Sequence, residues 1–392
     1  MSFDGTFHEE VDQIPWGERY DSPRQQVGAI FGRVARDHGR PGTEGYAVTP
    51  STDYPELPQP SSDMAVLTRD FLKWGYCLVK DALDEQEVAE ATERLVDQAA
   101  AERAAKVAQM GSRKNNSHDW GGSRQLVSNL PSKGDIWRKI ATYETHNGAL
   151  VEDLIQNILG KGFLTSSMHG VLVEEGAGGQ SMHQDQSFPL PHPPFPVHAN
   201  VIYMYTPWSL ENGGTYVIPG SATDGSGNSI LTEDTDADEF VRNHKYGIVA
   251  LCGPPGTCFV SDGRLLHAGA PRLAPGVRLG NNIYHCRAQM KQQENPWVSF
   301  CAMDQASPKL KRLLFGSESA EIGFGQIHLR AGGVVPVGEL SMSRPEEFDQ
   351  DFDFYYTEQA RTYANETEGE TAMYNGPTRP DIMQPEQQAS KL

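Results

Sequence analysis

Cysteine is scarce in this chain: five in 392 residues, at positions 77, 252, 258, 286 and 301. The number is odd and no spacing makes a metal knuckle, so neither a disulfide framework nor a cysteine-ligated zinc organises the fold. The five read as reduced thiols in small core spaces. Long apolar runs are also missing, none approaching the roughly 18 residues of a spanning helix. The start Met1-Ser2-Phe3-Asp4-Gly5 has neither a basic nor an apolar segment, which counts against a secretory signal. A soluble, cytoplasmic protein outside the membrane is the expectation. Basic excess is lacking too, with a formal charge of −19. Such a surface repels polyanions, which disfavours nucleic acid. An acyl-CoA would need a local basic cradle. Arg113-Lys114 and Arg138-Lys139 are the compact candidates, and both read more simply as solvated surface pairs. No internal repeat of solenoid or propeller period is present.

The length fits one large domain or two ordinary ones, and nothing forces two. Residues 1–62 are rich in Pro, Gly, Asp and Ser and read as an irregular arm. A helix is expected from Asp84 to about Ala108, with Asp84 and Glu87 as capping box and Leu83 and Val88 as hydrophobic staple. Helical stretches follow at 135–143 and 149–159, the second stopped by Gly160. Short β-rich segments at 163–174, 199–206, 215–218, 246–252, 257–261, 265–268 and 277–290 are bounded by turn residues. Seven or eight such strands suit a jelly roll with flanking helices, the main domain spanning 63–335. Between two strands, 187–198 carries five prolines with Phe188 and Phe195, either a stiff connector or a rigid pocket wall. Residues 336–392 form an acidic, aromatic extension with the composition of a partly disordered tail. It is expected to dock on its own body or on a second copy, giving a homodimer.

His183-Gln184-Asp185 is the most informative stretch. A histidine and a carboxylate two residues apart on a strand point to the same face and can grip one metal ion. Such tripeptides alone are usually ordinary polar surface. His267, at the end of another apolar run, supplies a third ligand and completes a two-histidine, one-carboxylate facial triad. Arg278 follows eleven residues later, and a tight connection from Pro271 to Gly276 would bring its planar cation back beside His267. There it suits a dicarboxylate.

The order Gln180-x-x-His183-x-Asp185, Glu211-Asn212-Gly213-Gly214-Thr215, Ile218-Pro219-Gly220-Ser221, His267 and Arg278, preceded by Trp74-Gly75-Tyr76-Cys77-Leu78-Val79, resembles the phytanoyl-CoA dioxygenase family. The likeness runs from about Met64 to Phe324. It implies a double-stranded β-helix, iron(II) held by His183, Asp185 and His267, the co-substrate 2-oxoglutarate bound by Arg278, and dioxygen as oxidant. It also sets Gln180 against the 2-oxoglutarate, although strand alternation alone turns that residue to the opposite face. Thr215 would add a hydroxyl donor or serve as β-favouring packing. Asp185 sets the chain apart from halogenating relatives, which seat chloride at that position. Hydroxylation is the expected outcome, with desaturation, epoxidation and rearrangement open. Asn129, Phe188, Tyr203, Tyr205 and Trp208 are candidate substrate contacts, each also readable as ordinary packing. The run Gln292-Gln293-Glu294-Asn295 is similar to that of secondary-metabolite oxygenases and points to a natural-product or amino-acid-derived small molecule, neutral or cationic. Two other classes compete: a cupin-like zinc hydrolase or epimerase, and a catalytically silent binding protein.

Overall fold

The computed structural model describes residues 46–110, 124–292 and 306–315, apart from 178, 181, 187–192, 225–226, 229 and 232–236. The helices come first and their ends are chemically explained. Helix α1 (Met64–Trp74) starts where the Asp63 side chain accepts the Ala65 N–H, and it buries Leu67, Phe71 and Trp74 on one face. Gly75 ends it at φ 79°, a left-handed conformation that glycine adopts without a steric penalty. Helix α2 (Glu85–Ala104) carries the expected reciprocal capping box between Asp84 and Glu87. It stops short of Ala108, and Lys106 just beyond its end takes a φ of 62°. Helices α3 (Asp135–Ala141) and α4 (Gly148–Leu159) follow at the expected places. Two further short helices, α5 (Ala237–Asn243) and α6 (Pro308–Phe315), come later. Among the described residues no helix is long and apolar enough to cross a membrane.

Eleven strands are described: β1 (Val48–Pro50), β2 (Tyr76–Val79), β3 (Gln109–Met110), β4 (Arg124–Val127), β5 (Leu164–Glu174), β6 (His198–Met204), β7 (Thr215–Val217), β8 (Ile248–Ala250), β9 (Cys258–Asp262), β10 (His267–Gly269) and β11 (Val277–Cys286). They form a four-stranded sheet, β1-β8-β7-β10, and a seven-stranded sheet, β2-β9-β6-β11-β5-β4-β3. This is the double-stranded β-helix, or jelly roll. The end of the expected N-terminal arm belongs to it, because β1 pairs in parallel with β8.

Period-2 alternation sorts the large sheet into two faces. Met168 and Leu172 of β5, Val201 and Tyr203 of β6, and Leu279 and Ile283 of β11 pack outward into one core with Leu95, Leu154 and Leu313 of the helices. The other face looks toward the small sheet. At one end that space is filled by Tyr76, Leu78, Met204, Val217, Val249 and Phe259. At the other end the inward residues are polar, and a cavity opens. One connection differs from expectation. Strands β10 and β11 do not pair with each other: β10 pairs with β7, whereas β11 pairs with β5 and β6. The segment from Pro271 to Gly276 therefore crosses between sheets. Arg278 reaches the cavity from the large sheet while His267 reaches it from the small one.

Candidate active site

His183 extends the small sheet by a single antiparallel bridge to His267. The two residues exchange both backbone hydrogen bonds, His183 N–H to the His267 carbonyl at 2.9 Å and the reverse at 3.0 Å. A directly opposed pair of this kind turns both side chains to one face, and the ring centroids are 4.5 Å apart. Asp185 completes the group without a regular strand. Its carboxylate lies 3.4 Å from His183 Nε2 and 3.2 Å from His267 Nε2. One ligand atom from each of the three residues lies within 4.8 Å of the others.

Neighbours fix the orientation of these ligands. His267 Nδ1 donates to the Leu265 carbonyl at 3.0 Å, which leaves the Nε2 lone pair for a metal. Asn200 donates to Asp185 Oδ2, and the Tyr284 hydroxyl donates to the Asp185 backbone carbonyl. Burial pushes the Asp185 carboxyl up, but the His267 charge and the hydrogen bonds from both histidines outweigh it and hold Asp185 well below the usual range. For His267, burial pushes down and Asp185 pushes up, with a net rise. The group is therefore an anionic carboxylate between two imidazoles, the donor set preferred by divalent transition metals.

Across a cavity of about 180 Å³ stands Arg278. Its side chain is buried, its Nε finds no hydrogen-bond partner among the described residues, and its guanidinium lies 5.0 Å over the Trp208 ring. Burial, with Arg124 and Arg272 close by, pushes the Arg278 pKa well below the guanidinium range. A cation so placed lacks its counter-anion. Arg124 was missed in the sequence. On β4 it opposes Val173 of β5, and Val173 opposes Arg278 of β11, so the two arginines share one row of the large sheet. Both line the cavity. Burial brings the Arg124 pKa down to about 10.

Gln180 also reaches the cavity. The backbone approaching His183 is not a regular strand, so the alternation that would turn this residue away does not apply. Its N–H donates to the Gly269 carbonyl at 2.7 Å and its Oε1 accepts the Gly269 N–H at 2.9 Å. The glycine lets these ends come close: a Cβ at 269 would meet Gln180 Oε1 at 2.6 Å and the terminal nitrogens of Arg124 at 2.9 and 3.0 Å. Thr215, opposite Gly269 on β7, faces the cavity, as does Trp208.

Asn129 and Tyr203 lie elsewhere. Asn129 takes a left-handed φ of 55° at the turn after β4 and does not line the cavity, a conformation that Asn tolerates better than most residues. Tyr203 has the outward parity of β6 and is fully buried against the helices. Tyr205 is in the same core, its hydroxyl donating to Asn281. Phe188, the run 293–295, Arg113-Lys114 and the C-terminal extension fall outside the described residues.

A family model described as "Phytanoyl-CoA dioxygenase (PhyH)" matches residues 71–280. Dioxygenase af480 from Aspergillus fumigatus is 30% identical over 190 residues, 47% of this chain and 56% of that protein. The chain thus spans about half the length of the curated relative it matches. Among solved structures, the non-heme alpha ketoglutarate dependent epimerase SnoN from nogalamycin biosynthesis shares 18% identity, with a TM-score of 0.43 over 57% of this chain and 83% of that chain. EctD from S. alaskensis, solved with bound Fe, shares 19% identity, with a TM-score of 0.45 over 62% and 84%.

Proposed function

Because the chain belongs to the phytanoyl-CoA dioxygenase family, we propose that it is an iron(II)- and 2-oxoglutarate-dependent dioxygenase that hydroxylates an unactivated carbon of a small-molecule metabolite. The observation that carries this reading is the pairing of two sites across one cavity. His183, Asp185 and His267 converge from the small-sheet side, and the unpartnered Arg278 Nε waits on the large sheet. A metal with open positions explains the first, and a bound carboxylate explains the second.

His183 Nε2, His267 Nε2 and the Asp185 carboxylate would hold iron(II), while Arg278 and Arg124 would neutralise the carboxylate of 2-oxoglutarate. Thr215 and Gln180 line the same cavity and add polar contacts to it. When bound, iron(II) and 2-oxoglutarate together supply the oxidising power, consuming dioxygen and releasing succinate and carbon dioxide as the substrate carbon is oxidised. The protein contributes position and dryness. Trp208 and Ile202 keep apolar surface against the cavity, and Asn200 and Tyr284 prevent Asp185 from rotating out of place. A zinc hydrolase or an epimerase that uses no 2-oxoglutarate has no use for two buried arginines facing its metal, and a silent binding protein has no use for a complete ligand set. The deciding experiment is anaerobic addition of iron(II) and 2-oxoglutarate, with a weak visible charge-transfer band as the expected result. No band at saturating iron and co-substrate would defeat the proposal.

A further inference from the structure

We propose that Arg264 is a positioning residue for the metal triad, acting through the side chain of Gln184 and touching neither the metal nor the co-substrate. This rests on the metal-site reading above and extends it to the turn between β9 and β10. That turn is the bed on which the ligand segment lies. His183 exchanges both backbone hydrogen bonds with His267, Gln186 N–H donates to the Gly263 carbonyl at 2.7 Å, and between them the Gln184 amide donates to the Arg264 carbonyl. A carbonyl only accepts, so the nitrogen of that amide is the atom facing it. Asp185 is therefore flanked on both sides by residues strapped to the turn, and its distance from the two histidines depends on where the turn lies. Neither Gln184 nor Arg264 lines the cavity.

The Arg264 side chain fixes the turn from behind. Its Nε and one terminal nitrogen fork onto Asp262 at 3.0 and 2.7 Å, and the other terminal nitrogen donates to the Pro193 carbonyl at 3.1 Å and the Gly227 carbonyl at 2.9 Å. Both members of the ion pair are almost wholly buried, at 3% and 4% side-chain exposure. Such a pair adds little net stability, because desolvation offsets the attraction, so its role here is to fix geometry. The segment it reaches has need of that. Pro193, Pro194 and Pro196 carry no N–H, so this stretch cannot be laced to a neighbouring strand and depends on donors from elsewhere. Arg264 thus joins the end of β9, the proline-rich segment that follows Asp185 and the loop after β7 to the one turn that carries the Gln184 strap. Lysine would keep a charge opposite Asp262 but offers no planar fork, so it cannot hold Asp262 and both carbonyls in one orientation.

The test titrates metal-free protein with cobalt(II), whose visible bands report binding at the triad without 2-oxoglutarate and without turnover. Gln184→Met should weaken cobalt about two- to tenfold, the worth of one neutral hydrogen bond, and Arg264→Lys about tenfold or more, since a charged donor is lost. The two losses should not multiply. If Arg264 acts through the strap, the double variant binds within about twofold of Arg264→Lys alone. Half-saturation by 2-oxoglutarate, read on the anaerobic charge-transfer band at saturating iron(II), should stay within about twofold in each variant, because Arg124, Arg278 and Thr215 stand on other strands. If Arg264→Lys does not fold, Asp262→Asn combined with Arg264→Gln serves, as it leaves no unpaired buried charge. Unchanged cobalt affinity in the Arg264 variant overturns the proposal, and so do losses that multiply. A parallel loss of 2-oxoglutarate affinity also overturns it, for Arg264 would then support the barrel as a whole. Wild-type protein that binds cobalt(II) but gives no band with iron(II) and 2-oxoglutarate defeats the dioxygenase reading and leaves this one to the cobalt cycle, whereas a wild type that binds no cobalt(II) defeats both.

Discussion

Replacing one metal ligand removes one of three bonds from an iron(II) site that is weak by the standards of later first-row metals. Alanine at His183, Asp185 or His267 should therefore abolish turnover and lower bound iron, while the thermal transition of the metal-free protein moves little, because none of the three anchors the main core. Succinate release together with iron content after desalting checks this, and full activity in any one variant removes that residue from the triad. Arg278 makes a different demand. Lysine keeps the charge but not the planar fork, so Arg278→Lys should raise the 2-oxoglutarate requirement about tenfold to a hundredfold, the loss of a charge-assisted contact worth roughly 1.5–3 kcal/mol. Arg272 cannot substitute, since its guanidinium is spent on the Gly276, Asn212 and Pro275 carbonyls of the β10–β11 crossing. Unchanged 2-oxoglutarate affinity would transfer the role to Arg124. These four residues were legible in the sequence because each is chemically distinct and sits in a short ordered pattern. Arg124 was not: inside Ser123-Arg124-Gln125-Leu126-Val127 it has no local marker, and only the row through Val173 reveals it.

At the scale of elements, the long strands were readable as β-rich runs closed by turn residues, and α2 because its capping box is written in four consecutive residues. Strands β1 to β4, two to four residues long, carry too little of that signal. What the sequence could not show was which sheet each strand joins. A turn between apolar runs looks the same whether the runs pair or cross to opposite sheets, and β10 and β11 do the latter. That crossing puts Gly269 of β10 and Arg278 of β11 on different sheets facing one cavity. Gly269→Ala would drive a methyl into the ends of Gln180 and Arg124. Both are side-chain termini that can swing aside, so the fold should survive with a small change in melting temperature. Co-substrate binding should weaken about tenfold as Arg124 is displaced. Titrating the charge-transfer band in the alanine variant reads this directly, and an affinity equal to wild type would place Arg124 outside the co-substrate contact.

Over the whole molecule, charge and cavity size together bear on the substrate. A formal charge of −19 surrounds a site whose positive groups, Arg124 and Arg278, are buried at the bottom and matched to a small diacid. The phosphates of a CoA thioester would instead need cations at the rim. Arg138, one of the four basic residues that might have formed such a cradle, is buried and already engaged by Asp135 and the Pro131 carbonyl. A cavity of about 180 Å³, lined by the same residues that would hold 2-oxoglutarate, gives no room for a long aliphatic chain beside the co-substrate. Despite the family's name, a free neutral or cationic metabolite should therefore stimulate succinate formation and oxygen uptake more than its CoA ester. The comparison is best run as matched pairs of a free compound and its CoA thioester at low and moderate salt, since repulsion by surface charge weakens as salt is added. A thioester that stimulates strongly at low salt while the free compounds do nothing would mean that the residues outside the described part of the chain, Arg113 and Lys114 among them, supply the missing cations.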